Sequence, residues 1–289
     1  MNHKPLYEFM VKRHRIYYAR RNKEPQPWTK DPILQTYRFT NVYRELDRVT
    51  VWVRKHIREP FAGDPNLWFM LCIARQINLP ATLQELIDTK GAWPSKNKWD
   101  VNKAVAVLDA RTQRREQVFT GAYIITNGGI AEPKTHVVME RYLQPLWEVR
   151  AMLGPQMRSS SIQAAHRALV QYLGWGGFMA YEVMCDLRYT AFLNRAIDKS
   201  TWAHAGPGAL RGLGRLNGKL PAPREAVVQM QNLLNLISPL WYLAFPKDPL
   251  LEMREIEHSL CEFDKYERVR NGEGRPRSKY SPQDEGRLP

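Results

Sequence analysis

The chain has 289 residues, of which 44% are hydrophobic, and 43 lysines and arginines against 29 acidic residues give a net charge of +14. This length allows one large domain or two small ones, and no apolar run is long enough for a membrane span or a secretory signal. Cys72, Cys185 and Cys261 lie far apart without zinc-ligand spacing, which predicts a reduced cytoplasmic setting and no structural metal. The positive charge favours a polyanionic partner, most simply nucleic acid, over a generically basic protein.

The N-terminal segment interleaves basic and aromatic residues in YEFMVKRHRIYYARRNK. Two interpretations stay open: a basic arm, residues 1–30, that follows a DNA backbone, or an amphipathic helix that packs Tyr7, Met10 and Tyr17 on the core. The proline-punctuated stretch EPQPWTKDP then predicts a linker over residues 24–32.

Residues 38–53, RFTNVYRELDRVTVWV, combine a core pattern with many charges. Helical spacing predicts a helix from about residue 40 to 57 whose core positions are Val42, Leu46, Val49 and Val53. The polar residues between them fit either a mixed-charge surface helix or a polar cluster presented to an anionic ligand.

The remaining pattern is mostly helical, with Asp64, Thr82 and Asp100 as expected capping residues. The stretch GAYIITNGG (121–129) allows at most a small β element near 121–126, and residues 269–289 predict a flexible basic tail. We therefore expect a mostly α protein in which residues 31–268 form one helical domain, or two helical lobes with a cleft. Helices are predicted over 64–76, 82–90, 100–116, 134–153, 159–173, 178–198, 223–238 and 248–268.

No complete nucleotide-binding or hydrolase motif is found in the sequence. The nearest approach to a phosphate-binding loop, GLGRLNGK (212–219), is followed by Leu220 rather than serine or threonine and follows no predicted strand. GxSxG and HExxH motifs are also lacking, so ATP hydrolysis and zinc chemistry fit the sequence poorly.

The stretch HAGPGALRGLGRL (204–216) has a glycine-proline turn, Gly206, Pro207 and Gly208, that enters a helix. Such a turn is similar to the hairpin of helix-hairpin-helix elements, whose backbone N–H groups hold a DNA phosphate, and Arg211 and Arg215 would add charge. An ordinary glycine-proline loop is the alternative.

In LGWGGFMAYEVMCDLRYT (173–190), Glu182, Asp186 and Tyr189 share one helical face. Two carboxylates one turn apart repel each other unless they serve a site or pair with basic side chains of another helix. Both explanations stay open at this point.

The densest cluster of titratable residues is LEMREIEHSLCEFDKYERVR (251–270), whose buried stripe is Ile256, Leu260 and Phe263. Half-buried carboxylates or imidazoles beside such a stripe can have pKa values nearer neutrality, which suits acid–base catalysis. A plain solvated face is the alternative. The opposite side carries Glu255, His258, Glu262 and Lys265, and the flanks carry Glu257, Cys261 and Asp264.

Five stretches together resemble a phage DNA-base hypermodification family, the α-glutamyl/putrescinyl thymine pyrophosphorylases, and the related helical domain of 5-hydroxymethyluracil DNA kinases. The family is considered a distant relative of helix-hairpin-helix DNA glycosylases, which implies a mostly α, helix-hairpin-helix DNA-glycosylase-like architecture. The stretches are PWTKDPILQTYRFTNVYRELDRVTVW (27–52), FTGAYI (119–124), LGWGGFMAYEVMCDL (173–187), AGPGALRGL (205–213) and MREIEHSLCEFDKYERVRNGEGRPR (253–277).

The resemblance implies a reaction on double-stranded DNA that carries a modified thymine, in the cytoplasm of a phage-infected bacterium. A family enzyme displaces pyrophosphate from the 5-methylene group with an amine, either an amino acid or putrescine, and we expect no cofactor. The modified base would be flipped out of the duplex to reach a closed site.

The required chemistry suggests roles for particular residues. Arg38, Arg44 and Lys265 are candidates to stabilise the departing pyrophosphate, and Asn41 could bind the pyrimidine edge. Phe178 or Tyr181 could stack on the base. The candidates for the base that deprotonates the amine are first Glu257, His258 and Glu262, then Glu182 and Asp186, while Arg38, Asn41, Arg44 and Asp47 would form one wall of the pocket.

Two other functions compete with this interpretation. A DNA glycosylase would need a carboxylate, but the stretch after the hairpin, LNGKLPAPREAVVQMQNLL, contains only Glu225 and no aspartate, so Glu262 or Asp47 would have to substitute. A non-catalytic DNA-binding partner that presents modified DNA to a kinase is the third hypothesis, and the basic N-terminal and C-terminal segments suit it.

Overall fold

The computed structural model describes residues 2–96, 98–276 and 278–280 and confirms a mostly α architecture. In the described part of the chain no strand forms, and β pairing is limited to isolated bridges at Tyr37 with Lys279 and Ser95 with Lys98. The α-helices are α1 (Lys4–Arg21), α2 (Pro32–Thr36), α3 (Arg48–Val53), α4 (Leu67–Ile77), α5 (Pro80–Asp88), α6 (Val101–Gln113), α7 (Lys134–His136), α8 (Gln144–Glu148), α9 (Arg150–Met157), α10 (Ile162–Leu169), α11 (Gly177–Leu187), α12 (Pro207–Asn217), α13 (Pro223–Ala244) and α14 (Met253–Arg270). A 3-10 turn spans Arg44–Leu46, and π-helical turns span Arg54–Arg58 and Val137–Leu143.

Contacts divide the chain into two compact units, each described separately. The terminal unit contains the described residues of 1–47 and 199–288, and the central unit contains residues 48–198. No helix among the described residues has the length and apolarity that a bilayer crossing requires. The expected domain limits, 31–268 with a separate N-terminal arm, stay a prediction.

Helix α14 is the core helix of the terminal unit. Its predicted stripe residues are buried, but so is the side expected to face solvent, since Glu255, His258 and Glu262 are at most 9% exposed. Helix α1 packs against it, and the ring of Phe9 lies 5.9 Å from that of Phe263. The N-terminal segment is thus a helix that buries Met10, while Tyr7 and Tyr17 are only half-buried.

Helices α12 and α14 approach each other closely through two glycines. A Cβ atom at Gly208 would overlap the Sγ of Cys261, and one at Gly212 would overlap the carbonyl oxygen of Leu260. Because protein interiors are close-packed, only glycine fits at these two positions without moving a helix.

Substituting Gly212 by alanine is expected to lower the free energy of unfolding by about 3 kcal/mol, because the atom in the way is backbone and cannot rotate aside. Urea denaturation would measure this change. Gly63→Ala is the matched control, since its added Cβ has no heavy atom within 4 Å, and a change of about 0.5 kcal/mol or less is expected. Equal stability of the two variants would contradict the close-approach explanation.

The central unit is built around α4, which is buried on all sides from Leu67 to Ile77. Helix α11 packs on it, and Trp68 and Trp175 are fully buried in the surrounding core. Its residues are apolar apart from Arg75 and Gln76, and a helix of this composition is expected to lie in the middle of a core rather than on its surface.

Several predicted elements differ in the structure. The expected helix over 40–57 is α-helical only from Arg48, after a 3-10 turn at Arg44–Leu46. Residues 38–43 are irregular, and side chains of α14 hold Thr40 among them. Residues 121–126, the possible β element, are irregular. The helix predicted to reach residue 198 ends at Leu187. Of the predicted tail, residues 281–289 and Arg277 lie outside the described residues.

Candidate functional site

The terminal unit brings six of the predicted site residues together with Arg13 and Thr40 into one polar cluster, where segment 38–47 meets α14. Much of the cluster is buried, although Lys265 keeps 22% and Asp47 keeps 17% of the side chain exposed. We define this polar cluster as Arg13, Thr40, Asn41, Arg44, Asp47, His258, Glu262 and Lys265.

Thr40 is held from both ends by residues of α14. Its hydroxyl contacts the Nε2 atom of His258, and its backbone N–H donates to Glu262 at 2.9 Å. Glu262 also accepts from the Lys265 ammonium at 2.7 Å, and that ammonium lies 4.7 Å from the centre of the Phe39 ring. A hydroxyl beside an imidazole is an arrangement that can pass a proton.

Asn41 and Asp47 form the other side of the cluster. The Asn41 side-chain amide donates to Asp47 at 2.9 Å and to the Leu46 carbonyl at 3.1 Å, while its oxygen accepts from Arg13 at 3.0 Å. Asn41 therefore holds segment 38–47 in place. Its side-chain amide donates to Asp47 and Leu46 and is not directed at a pyrimidine edge. No hydrogen bond reaches the Oδ2 atom of Asp47 within the described chain, and Arg44 Nε lies 3.9 Å from it.

The pKa values of the two acid–base groups of the polar cluster, His258 and Asp47, shift in opposite directions. Burial lowers the pKa of His258 well below its usual value, and the surrounding cations Arg44, Arg254, Lys265 and Arg13 lower it further. Burial raises the pKa of Asp47, and Arg44 partly offsets this. The imidazole is therefore neutral near pH 7, with one of its two ring nitrogens unprotonated, and its lowered pKa makes it a weaker base than an exposed histidine.

The lowered pKa of His258 predicts a pH dependence of stability. Below about pH 6.5 the unfolded chain takes up a proton that the folded imidazole refuses, so the free energy of unfolding falls as pH falls. His258→Gln is expected to flatten this slope by up to about 1.4 kcal/mol per pH unit between pH 5 and 6. Urea titrations of wild type and variant at several pH values would measure it, and parallel slopes would contradict the prediction.

Glu257, the first of the predicted bases, lies apart from the polar cluster. Its carboxylate accepts from the backbone N–H of Gly206, at the start of α12, at 3.3 Å. Where a DNA phosphate was expected, the turn Gly206, Pro207 and Gly208 thus meets a carboxylate, and Gly208 is packed against α14.

The predicted DNA-contacting arginines of α12 bind carboxylates of the same unit. Arg211 donates to the fully buried Asp264 at 2.8 Å, and Arg215 lies 3.3 Å from Asp264 and also pairs with Glu273. These contacts explain why glycines and arginines recur in α12 without invoking a ligand, and binding of a phosphate there stays a prediction.

The remaining predicted residues lie in the central unit. Asp186 forms a bidentate ion pair with Arg75 of α4, at 2.5 and 2.8 Å, so this carboxylate meets a cation of another helix, as one of the two open explanations had it. Glu182 and Tyr181 are buried, with 4% and 5% of their surface exposed. Phe178 is 39% exposed and packs edge-on against Tyr123. Arg38, in the terminal unit, is exposed.

Sequence reasoning missed Arg13, Thr40 and a second buried polar group. His14 pairs with Asp248 at 2.6 Å, inside a shell of aromatic rings. Arg13 and His14 follow Leu6, Phe9 and Met10 at helical spacing, so the periodicity of α1 could have shown that both are buried. Thr40 carries no such signal. Within the described residues, no group of three or more His, Cys, Asp and Glu side chains could hold a metal ion.

Comparisons with known proteins agree with the resemblance seen in the sequence. A family model described as "5-hmdU DNA kinase, helical domain" matches residues 2–275. A 5-hmdU DNA kinase of Bacillus phage SP10 is 30% identical over 228 residues, which are 71% of this chain and 34% of that protein. The chain thus spans about a third of the length of this relative. No solved structure matches this chain. This protein belongs to the family of the 5-hmdU DNA kinase helical domain.

Proposed function

We propose that this chain acts on DNA that carries a 5-hydroxymethyluracil-derived base, and that it displaces pyrophosphate from the 5-methylene group with an amine. The observation that carries this proposal is the polar cluster, in which a neutral imidazole, a hydroxyl and several cations lie together. The phage relative is named for action on 5-hmdU in DNA, and the net charge of +14 suits a DNA substrate.

In the proposed reaction the amine nitrogen attacks the 5-methylene carbon, and the carbon–oxygen bond to pyrophosphate breaks with its electron pair leaving on the pyrophosphate. Arg44, Lys265 and the exposed Arg38 would stabilise that negative charge. The proton lost by the amine would pass to the Thr40 hydroxyl while the hydroxyl proton passes to His258. The raised pKa of Asp47 makes its carboxyl group a second candidate for proton transfer.

A second candidate function is a non-catalytic module that presents modified DNA to a separate kinase. It is favoured by the match to only 34% of a relative that is named a kinase. The stretch GLGRLNGK (212–219) also favours it, because these residues form the end of helix α12 and not a phosphate-binding loop after a strand. A chain of this kind would bind the substrate and leave it unchanged.

Nucleoside mass spectrometry tests these functions directly. Duplex DNA containing 5-hydroxymethyluracil would be pyrophosphorylated by a cognate kinase and incubated with the protein, amino acids and polyamines. A nucleoside heavier by one amine adduct, with pyrophosphate released, is the expected result, and Arg44→Ala should abolish it. Free modified base with abasic sites would instead establish a glycosylase. Tight DNA binding with no product from any amine would overturn the transferase and support the second candidate.

A further inference from the structure

A surface pocket of the central unit carries two arginines that the proposed chemistry does not use. The pocket has a volume of about 660 Å³, within the range of ligand-binding clefts. Its only charged lining residues are Arg150 and Arg158, so no carboxylate of the lining offsets their charge. The lining is Pro65, Asn66, Arg150, Ala151, Gly154, Pro155, Arg158 and Phe192.

Each arginine is held in place by the protein. The guanidinium of Arg150 lies 4.2 Å from the centre of the Trp147 ring and donates to the Trp147 carbonyl at 2.7 Å. The guanidinium of Arg158 lies 4.5 Å from the Phe192 ring centre and donates to the Ala191 carbonyl at 3.1 Å. A guanidinium has five N–H donors, so most of them remain for a ligand in each case. Fixing the side chains beforehand reduces the entropy lost on binding.

The two arginines stand at opposite ends of α9. Arg150 is its first residue and Arg158 follows its last, so they are separated by about 12 Å along the helix axis. This spacing is wide for two side chains that grip one phosphate, and it suits two phosphates of one DNA strand that are not neighbours. Of the small residues between them, Ala151 is exposed, and Gly154 lies against Trp68, since a Cβ atom there would come within 3.3 Å of the Trp68 Nε1 atom.

We propose that this pocket binds phosphate groups, and that the ligand is the phosphodiester backbone of DNA. The central unit would then position the duplex, whatever reaction the polar cluster performs. The test uses unmodified duplex DNA, so it is independent of the proposed transferase activity. Free pyrophosphate has the same chemistry and is the alternative source of the anion.

The test compares two double variants that each remove two positive charges. R150Q/R158Q changes the pocket, and R114Q/R141Q is the matched control, because those arginines are outside the pocket and pair with Glu116 and Glu132. Fluorescence anisotropy with a labelled duplex would be measured across salt concentrations. We expect the pocket variant to bind about 10-fold more weakly at 0.1 M salt, with the slope of log K against log salt reduced by about 1.8, and the control to stay near wild type.

Calorimetric titration of the same variants with inorganic pyrophosphate distinguishes the source of the anion. If only the pocket variant loses pyrophosphate binding and its affinity for DNA is unchanged, the pocket is a phosphate site whose ligand is the free anion and not DNA. Equal weakening of DNA binding in both double variants, or wild-type binding of both ligands by R150Q/R158Q, would overturn the proposal. If the pocket variant fails to fold, R158Q alone replaces it, since Arg158 is exposed, with a slope change of about 0.9 expected.

Discussion

Thr40→Val is expected to lower the turnover rate of the proposed transferase about 100-fold or more, because the proton of the attacking amine then loses its route to His258. Valine keeps the shape of threonine and removes only the hydroxyl that contacts the imidazole. General acid–base steps contribute about 10²–10⁴ to enzymatic rates, which sets the size of the loss. Single-turnover kinetics with pyrophosphorylated duplex and saturating amine would measure it.

Two further variants separate a proton relay from a structural role for Thr40. Thr40→Ser retains the hydroxyl and the backbone N–H bond to Glu262, and activity within about threefold of wild type is expected. The double variant Thr40→Val with His258→Gln should be little slower than either single variant, because residues that act as a unit have non-additive effects. Equal loss in the serine and valine variants would contradict the relay.

Asp186→Asn is expected to destabilise the protein by about 3–5 kcal/mol, which is the usual cost of leaving a buried charge without its partner. Asp186 is fully buried, and Arg75 and Arg58 beside it are only 1% and 4% exposed. Burial alone would oppose the charge on Arg75, but the adjacent carboxylate raises its pKa above the usual value. Removal of the carboxylate therefore leaves guanidinium groups that water cannot reach. Thermal and urea denaturation would give the loss.

Asp264→Asn is the matched control for this prediction. Asp264 is also fully buried, but its partners Arg211, Arg268 and Arg215 keep 47%, 40% and 21% of their side chains exposed. Water can solvate these arginines once the carboxylate is gone, so a loss of about 1 kcal/mol is expected. The paired variant Arg75→Met with Asp186→Leu should be more stable than Asp186→Asn, because it removes both charges of the bidentate pair and leaves one buried cation, Arg58, instead of two. A similar loss for the two asparagine variants would show that burial of the cations does not determine the cost.

Local signals predicted the helices well where they were strong. Asp100 was expected to cap a helix, and its carboxylate accepts from the backbone N–H groups of Asn102 and Lys103. Thr82 was wrongly assigned as a cap, because Pro80 already begins helix α5. The α-helix predicted from about residue 40 does not form before Arg48, because two carboxylates bind backbone groups that a helix would otherwise pair. Asp47 binds the N–H of Asn41 from within segment 38–47, and Glu262 binds that of Thr40 from 222 residues away, which no local window of sequence contains.

The composition of the polar cluster was partly predictable as well. Asn41, Arg44 and Asp47 on one segment, and His258, Glu262 and Lys265 on another, were all expected to serve a site, and the structure brings them together. The contacts that individual residues make within the polar cluster were not predictable. Asn41 is committed to Arg13 and Asp47, and Glu257 faces α12 instead, because the rotation of α14 is set by the close approach at Gly208 and Gly212.

The terminal unit is built from two chain segments that flank the central unit, and this affects the order in which the two units can fold during synthesis. All residues of the central unit, 48–198, leave the ribosome before α14 exists, so this unit can pack its core while translation continues. Helix α1 must wait more than 230 residues for Phe263 and Tyr266, the rings it packs against. Until then Phe9 has the ring of Phe39 beside it, 5.8 Å away, but lacks the rings of α14. We therefore expect nascent chains that stop before Met253 to be protease-resistant in the central unit and cleaved within α1.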